Sequence, residues 1–307
     1  MLTCEVGFAP KRHQGRLRNS YGELISSEQR ATTLAEHLEK SQWKVRPSTL
    51  IPNTEAPLRE ELNVCLEPFN AKELRRAISA ARNGKACKED DLPVEFYKAL
   101  AEEPGTALDI VLEFCNRCWM DKCVPVAWTT ASMSLIFKKG DPASCDNYRP
   151  ISVLTVCQKL LMSMIKQLLD AGVEDLLWHS QVGFRRRCST EDAIYIALRR
   201  IECARAQQGG QISLLALDWA KAFDSINVEG LLDCLRRFGL PKHLLDTLRN
   251  ILEARVFFVK ECGEVSETRI QLAGISQGCT LSPLLFIMVM SVLLADAVSA
   301  VSVAAQS

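Results

Sequence analysis

The chain has 307 residues, enough to bury a sizeable core in one large or two modest domains. Apolar residues make up 48% and charged residues 24%, a balance that excludes a disordered tail. Lys plus Arg number 37 and Asp plus Glu number 37, and this neutrality excludes a surface coated all over with positive charge, though not a local basic channel. The charge is unevenly spread: residues 128–210 hold eleven Lys plus Arg against eight Asp plus Glu, and residues 51–113 hold eight against thirteen.

In chain order, residues 1–65 read as an N-terminal linker with one helix near 27–40, followed by the proline-containing "RPSTLIPNTEAP". "FNAKELRRAISAARNGK" predicts a helix with Asn70 as N-cap, Glu73 closing a capping box, and Leu74, Ala77, Ile78 and Ala81 on one face; Asn83-Gly84 stops it. Helices are expected at 93–101 and 105–120, the second containing Cys115 and Cys118. That C-x-x-C has no nearby partner set to complete four zinc ligands, so buried helix thiols are expected. "ASMSLIFKKGDP" predicts a strand into a turn, and "VLTVCQKLLMSMIKQLLDAGVEDLL" a long helix. From residue 190 the order is helix, Gly-Gly break, a strand over 211–217, and a helical pair split by "GLP" at 239–241. A hairpin over "ECGEVS" follows, and then a helix opening at Ser282-Pro283.

Helices dominate with a few strands gathered late, an α+β pattern. The apolar run "LLFIMVMSVLLA" falls short of the ~20 residues that span a bilayer, so a buried core helix is expected and no membrane partner. The 13 cysteines, odd in number and irregular in spacing, and an opening stretch without an apolar signal core imply a reducing, intracellular setting, with nucleus and cytoplasm not separable.

Four stretches carry chemistry. In "SLLALDWAKAFDSIN" an apolar run ends at Asp218, whose carboxylate is expected at a sheet edge, either capping the next turn or meeting a cation. Asp224 is expected to cap the helix that starts near Asn227, a metal ligand being the alternative. In "GISQGCTLSPLLF", Gly274 and Gly278 bracket Gln277 and allow backbone to approach a ligand; an ordinary loop is the alternative. In "SLIFKKGDPASCDNYRPISVL", Lys138, Lys139 and Arg149 lie on two segments joined by a short turn, forming either a polyanion grip or a solvated basic hairpin. "QVGFRRRCSTEDAI" places Arg185, Arg186 and Arg187 before a helix start, for phosphate-backbone contact or as a solvated run. No phosphate-loop or dinucleotide glycine pattern occurs.

In their order and spacing, "KKGDP…NYRPISVL", "QVGFRRRCSTEDAI", "LDWAKAFDSI" and "GISQGCTLSPLLF" resemble the successive motifs of reverse transcriptases from non-LTR (LINE-type) retrotransposons, over about residues 66–296. The resemblance implies a right-hand polymerase fold, with fingers over 66–210 and a partial palm over 211–307. It implies RNA-templated DNA synthesis on a DNA primer from deoxynucleoside triphosphates, with two Mg²⁺ ions. Asp218 then matches a catalytic, metal-binding aspartate, with the Trp219 carbonyl a neighbouring ligand. Phe223 matches the aromatic that closes against the sugar, Lys138 and Arg149 hold the triphosphate, and Gln277 with Gly278 lines the nucleotide pocket. Lys139 and Arg185 to Arg187 contact nucleic acid.

The chain also departs from the family pattern. "CKEDD" replaces a Pro-Gly-rich loop, and "GFRRRCST" lacks a small residue or proline usual there. The family's Ala-Asp-Asp hairpin, with its further catalytic acids, does not follow the "SPLLF" helix before Ser307, and "LLADA" carries one acid, Asp296, in helical register. The expectation is a polymerase fragment truncated before that motif and impaired alone, the alternative being a catalytically silent nucleic-acid-binding remnant.

Overall fold

The computed structural model describes residues 16–45, 56–88, 91–103 and 105–304. The fold is mixed: a five-stranded sheet accompanied by ten α-helices among the described residues.

Helix α1 (Arg30–His37) continues into a π-helical turn over Leu38–Gln42. α2 (Ala71–Ala80) carries the expected capping box: the Asn70 side chain accepts from the Lys72 and Glu73 amides, while the Asn70 amide donates to Glu73 Oε2 at 2.8 Å. Leu74, Ala77 and Ile78 are buried on its inner face. α3 (Val94–Glu102) and α4 (Ala107–Met120) follow, the latter burying Cys115 and Cys118 as core thiols. After the short α5 (Val126–Thr129), β1 (Thr130–Phe137) and β2 (Tyr148–Val153) form an antiparallel hairpin, and α6 (Val156–Val173) is the long helix.

α7 (Thr190–Ala206) starts with a second capping box, formed by Ser189 and Asp192. α8 (Val228–Phe238) and α9 (Lys242–Leu252) are the helical pair. β3 (Val256–Glu261) turns through Cys262 and Gly263, both at positive φ, into β4 (Glu264–Val265). The expected second strand of this hairpin is otherwise reduced to β5 (Arg269–Ile270), which pairs further down β3. α10 spans Ser282–Ala304.

The sheet order is β2-β1-β3-β4, with β5 also on β3; β1 and β3 run parallel. Period-2 alternation sends Ala131, Met133 and Leu135 of β1 inward to meet Tyr148, Phe257 and Val259. The cover over these residues is Leu17, Ile25, Leu34, Leu38 and Trp43, so residues 16–43, expected to act as a connector, pack as one side of the sheet's own core. The Trp43 ring meets Phe257 edge-on at 4.6 Å. A larger core joins α2, α4, α6, α8, α9 and α10.

Two expectations are corrected. Residues 211–219 form no strand: the segment is irregular, with Leu214, Leu215 and Leu217 at least 70% exposed. A strand exists only through hydrogen bonds to a neighbour, and no strand of the described sheet pairs with this one, so its β-propensity stays unrealised. α10 is also much longer than the apolar dozen suggested. Its stretch Ser282–Ala300 is long and apolar enough to cross a membrane by length and composition, yet its first half is buried in the helical core. Ser291 accepts from the Trp178 amide, and Asp296 takes a two-pronged grip from Arg237 at 2.7 and 2.8 Å. Asp296 is thereby used up in packing α10 against α8.

Candidate nucleotide and nucleic-acid site

The hairpin that carries the expected triphosphate grip is held rigid at its turn. The Lys138 amide donates to the Asn147 carbonyl at 2.8 Å, Asp141 Oδ1 accepts from the Ala143 amide at 2.9 Å, and Arg18 Nη1 reaches Asp141 Oδ2 at 2.6 Å. Lys138 and Lys139 extend from the end of β1 into solvent. Arg149 stands opposite Ile136 on the face of the hairpin turned away from the Met133–Tyr148 core. All three are exposed, as an anion grip requires.

Asp218 lies on the exposed irregular segment, without a hydrogen bond or ion pair to any described residue, and Trp219 beside it is also exposed. Order begins just after them. Lys221 Nζ contacts Asp146 Oδ1 at 2.7 Å, tying the segment to the hairpin turn; this contact, with its hydrogen bond to the carboxylate, holds Asp146 below the usual carboxylate range. Phe223 stacks on Phe286 of α10 at 5.0 Å and 13°, and meets Phe184 of "QVGFRRR" edge-on at 5.9 Å.

Asp224 does not cap the following helix: Asn227 does so itself, accepting from the Gly230 amide at 3.0 Å. Asp224 is instead buried, its Oδ1 accepting from Trp43 Nε1 at 3.0 Å and its Oδ2 from Gln277 Nε2 at 2.7 Å. Burial pushes its pKa up, against hydrogen bonds from Trp43 and Gln42 and the charges of Lys138 and Lys221.

The glutamine loop is stitched to both neighbours. The Gly274 amide donates to the Ile226 carbonyl and the Ile275 amide to the Phe223 carbonyl, while the Gln277 carbonyl accepts from the Ser152 amide of β2 at 2.7 Å. Gly274 and Gly278 stand at φ +83° and +122°, and a Cβ on Gly278 would lie 2.6 Å from the Ser152 carbonyl oxygen. These are positions only glycine fills, and the close approach they permit here is to neighbouring backbone, that of Phe223–Asp224 and of Ser152.

The arginine run divides. Arg185 is consumed locally, with Nε on Glu174 Oε1 at 2.9 Å and Nη2 on the Glu174 carbonyl at 3.0 Å. A guanidinium closing the end of α6 in this way is a structural clamp. Arg186 stays exposed while touching Asp170 at 2.9 Å, and Arg187 is exposed at φ +59°.

Sequence reasoning missed the groove that Gly278 and Arg186 line. A cleft of about 700 Å³ runs between α2, α6 and β2, reaches Gly278 and Thr280, and has an apolar floor that includes Ala77, Ile151 and Leu160. Arg76, Arg82, Lys85, Lys159, Lys166 and Arg186 line it, with Asp170 the acid among its lining residues. Burial lowers the Lys159 pKa, a sign that this amine is drawn into the groove. The available signal was Lys159 and Lys166, seven apart on a helix whose other face is apolar. Of the acidic loop "CKEDD", Glu89 and Asp90 lie outside the described residues; Asp91 accepts from the Val156 amide at the start of α6, and Lys88 donates to the Ala127 and Thr130 carbonyls.

Among the described residues no group of three His, Cys, Asp or Glu side chains could hold a metal ion. Asp218 supplies one carboxylate, and Asp224, five positions on, is turned inward and engaged, so the residues present do not fit a two-metal centre.

Residues 136–304 match the model of the family described as "Reverse transcriptase (RNA-dependent DNA polymerase)". Over 275 residues, 86% of this chain, the sequence is 28% identical to the "Probable RNA-directed DNA polymerase from transposon BS" of Drosophila melanogaster. It is 27% identical over 278 residues, 87% of this chain, to the "RNA-directed DNA polymerase from mobile element jockey" of the same fly. Against the "Retrovirus-related Pol polyprotein from type-1 retrotransposable element R2" of Popillia japonica it is 31% identical over 173 residues, 56% of this chain. The chain belongs to the reverse transcriptase family, and its mobile-element relatives agree with the non-LTR reading of the motifs. The matched regions cover 30%, 29% and 24% of those three relatives, so the chain spans under a third of their length.

Proposed function

We propose that this chain is the fingers and leading part of the palm of a retroelement RNA-directed DNA polymerase, in a right-hand arrangement with fingers over 66–210, palm over 211–307 and an N-terminal segment over 1–65. Its substrates are an RNA template with a DNA primer and deoxynucleoside triphosphates, inside a reducing cell compartment. The observation that carries the reading is the joining of the Asp218–Asp224 segment both to the basic hairpin, through Lys221 and Asp146, and to the glutamine loop, through Asp224 and Gln277; the next residue of that loop, Gly278, lines a six-cation cleft. Lys138 and Arg149 would receive the triphosphate, Phe223 and the Gln277-Gly278 loop the nucleoside. The cleft, with Lys139, Arg186 and Arg187, would hold the nucleic-acid backbone. Asp218 and the Trp219 carbonyl are the positions that would face magnesium in this reading, and the described residues do not complete a two-metal centre around them. The described residues offer one such carboxylate, so the chain is expected to bind primer-template while extending it weakly.

Binding tests the reading directly. Affinity for an RNA template with a DNA primer should fall with salt, and the log–log slope should shrink by about 1 for each phosphate-contacting cation removed from Arg76, Lys85, Lys159 or Lys166. Flat salt dependence overturns it. Robust primer extension abolished by Asp218→Ala would overturn the expectation of weak extension.

A further inference from the structure

We infer that Asp224 is a positioning residue that fixes the polarity of the Gln277 side-chain amide, so that Gln277 presents its carbonyl oxygen, a hydrogen-bond acceptor, to a sugar hydroxyl of the bound nucleotide. The inference rests on the nucleotide reading of the site above.

An amide side chain is two-faced, one end donating and the other accepting, and its shape hardly changes when it is turned over. Its neighbours decide which way it faces. The Gln277 backbone is immobilised independently, by the Ser152 amide on its carbonyl and by the glycine-only geometry of Gly278. Its side chain meets Asp224 Oδ2 at 2.7 Å. Asp224 Oδ1 is occupied by the indole N–H of Trp43, which can only donate. A carboxylate ringed by donors is an acceptor at both oxygens, so Gln277 must turn its NH₂ inward. Its Oε1 then faces out from a half-buried residue, without a partner among the described residues.

An outward carbonyl selects a ligand donor. Asp224 directly follows Phe223, the residue assigned to the sugar, so the donor at this level is a sugar hydroxyl. Trp43 belongs to the segment that covers the sheet, and it reaches the nucleotide site through this one carboxylate.

Exchange of the donors and acceptors provides the test. Asp224→Asn keeps the shape and the acceptor for Trp43 but turns an NH₂ toward Gln277, forcing that amide over. Asp224→Asn with Gln277→Glu restores an outward acceptor, because the new carboxylate accepts from Asn and offers its second oxygen. The measurement is equilibrium binding of Mg-dTTP and of its 3′-deoxy analogue to the chain loaded with oligo(dT) on poly(rA). The wild-type chain should favour dTTP by about tenfold, the usual worth of one such bond. Asp224→Asn should lose that preference, the double variant should regain it, and Trp43→Phe, which leaves the Gln277 contact intact, should keep it. The side-chain amide resonances of Gln277 in a ¹H–¹⁵N spectrum should move in Asp224→Asn and stay put in Trp43→Phe, which separates a turned amide from general loosening. An Asp224→Asn protein that retains the wild-type preference, or whose Gln277 amide resonances stay put, overturns this inference alone. If neither nucleotide binds the wild-type chain, the nucleotide reading falls and takes the inference with it.

Discussion

At the scale of single residues, Asp224 joins three parts of the chain that are far apart in sequence: Trp43, its own segment and Gln277. Its burial leaves a signature in stability. Desolvation disfavours the charged form, so the folded carboxyl titrates above the ordinary aspartate value while the unfolded one does not. Between those two values the folded chain holds the extra proton, and stability therefore falls as pH rises through that window. Urea unfolding across a pH series should show this decline in the wild-type chain, and Asp224→Asn should flatten it. A wild-type profile that instead rises over the same window would mean that the donors outweigh burial. The sequence marked Asp224 as a helix cap and not as the partner of Trp43 and Gln277, because those contacts span 181 and 53 residues.

At the scale of elements, helices declare themselves locally and strands do not. The capping box at Asn70 and the apolar face of α2 were readable because helical hydrogen bonds lie within the segment. The segment 211–217 has as strong a β pattern as any in the chain and remains irregular, since a strand needs a partner that composition does not supply. This contrast has a measurable consequence. Leu235, fully buried on α8, should cost about 3 kcal/mol as Leu235→Ala. Leu215, 80% exposed, should change stability by no more than about 0.5 kcal/mol as Leu215→Ser. A large loss at Leu215 would show that the segment packs in solution.

On the scale of the whole molecule, the sheet has two different sides. Its inner face is closed by residues 16–43, and the outward face of β1–β2 keeps Ile136 and Arg149 open toward solvent. A connector would tolerate change, whereas a cover over a core would not. Trp43→Ala removes a fully buried ring stacked edge-on against Phe257 and a donor to a buried carboxylate, and should destabilise the chain by roughly 4 kcal/mol in thermal or urea unfolding. A cost under about 1 kcal/mol would return residues 16–43 to the status of a linker.

The sequence by itself determined the family and the helices, because motif order, capping and helical periodicity are written in neighbouring residues. Tertiary structure alone decided which charges are spent and which are available. Arg185 is clamped to Glu174, Asp296 to Arg237, Asp224 to Trp43 and Lys166 to Asp170, while Arg76 of α2 and Lys159 of α6, 83 residues apart, line one groove. Whether a charge is satisfied or free depends on what folding brings within about 3 Å of it, and that distance is a property of packing rather than of order along the chain.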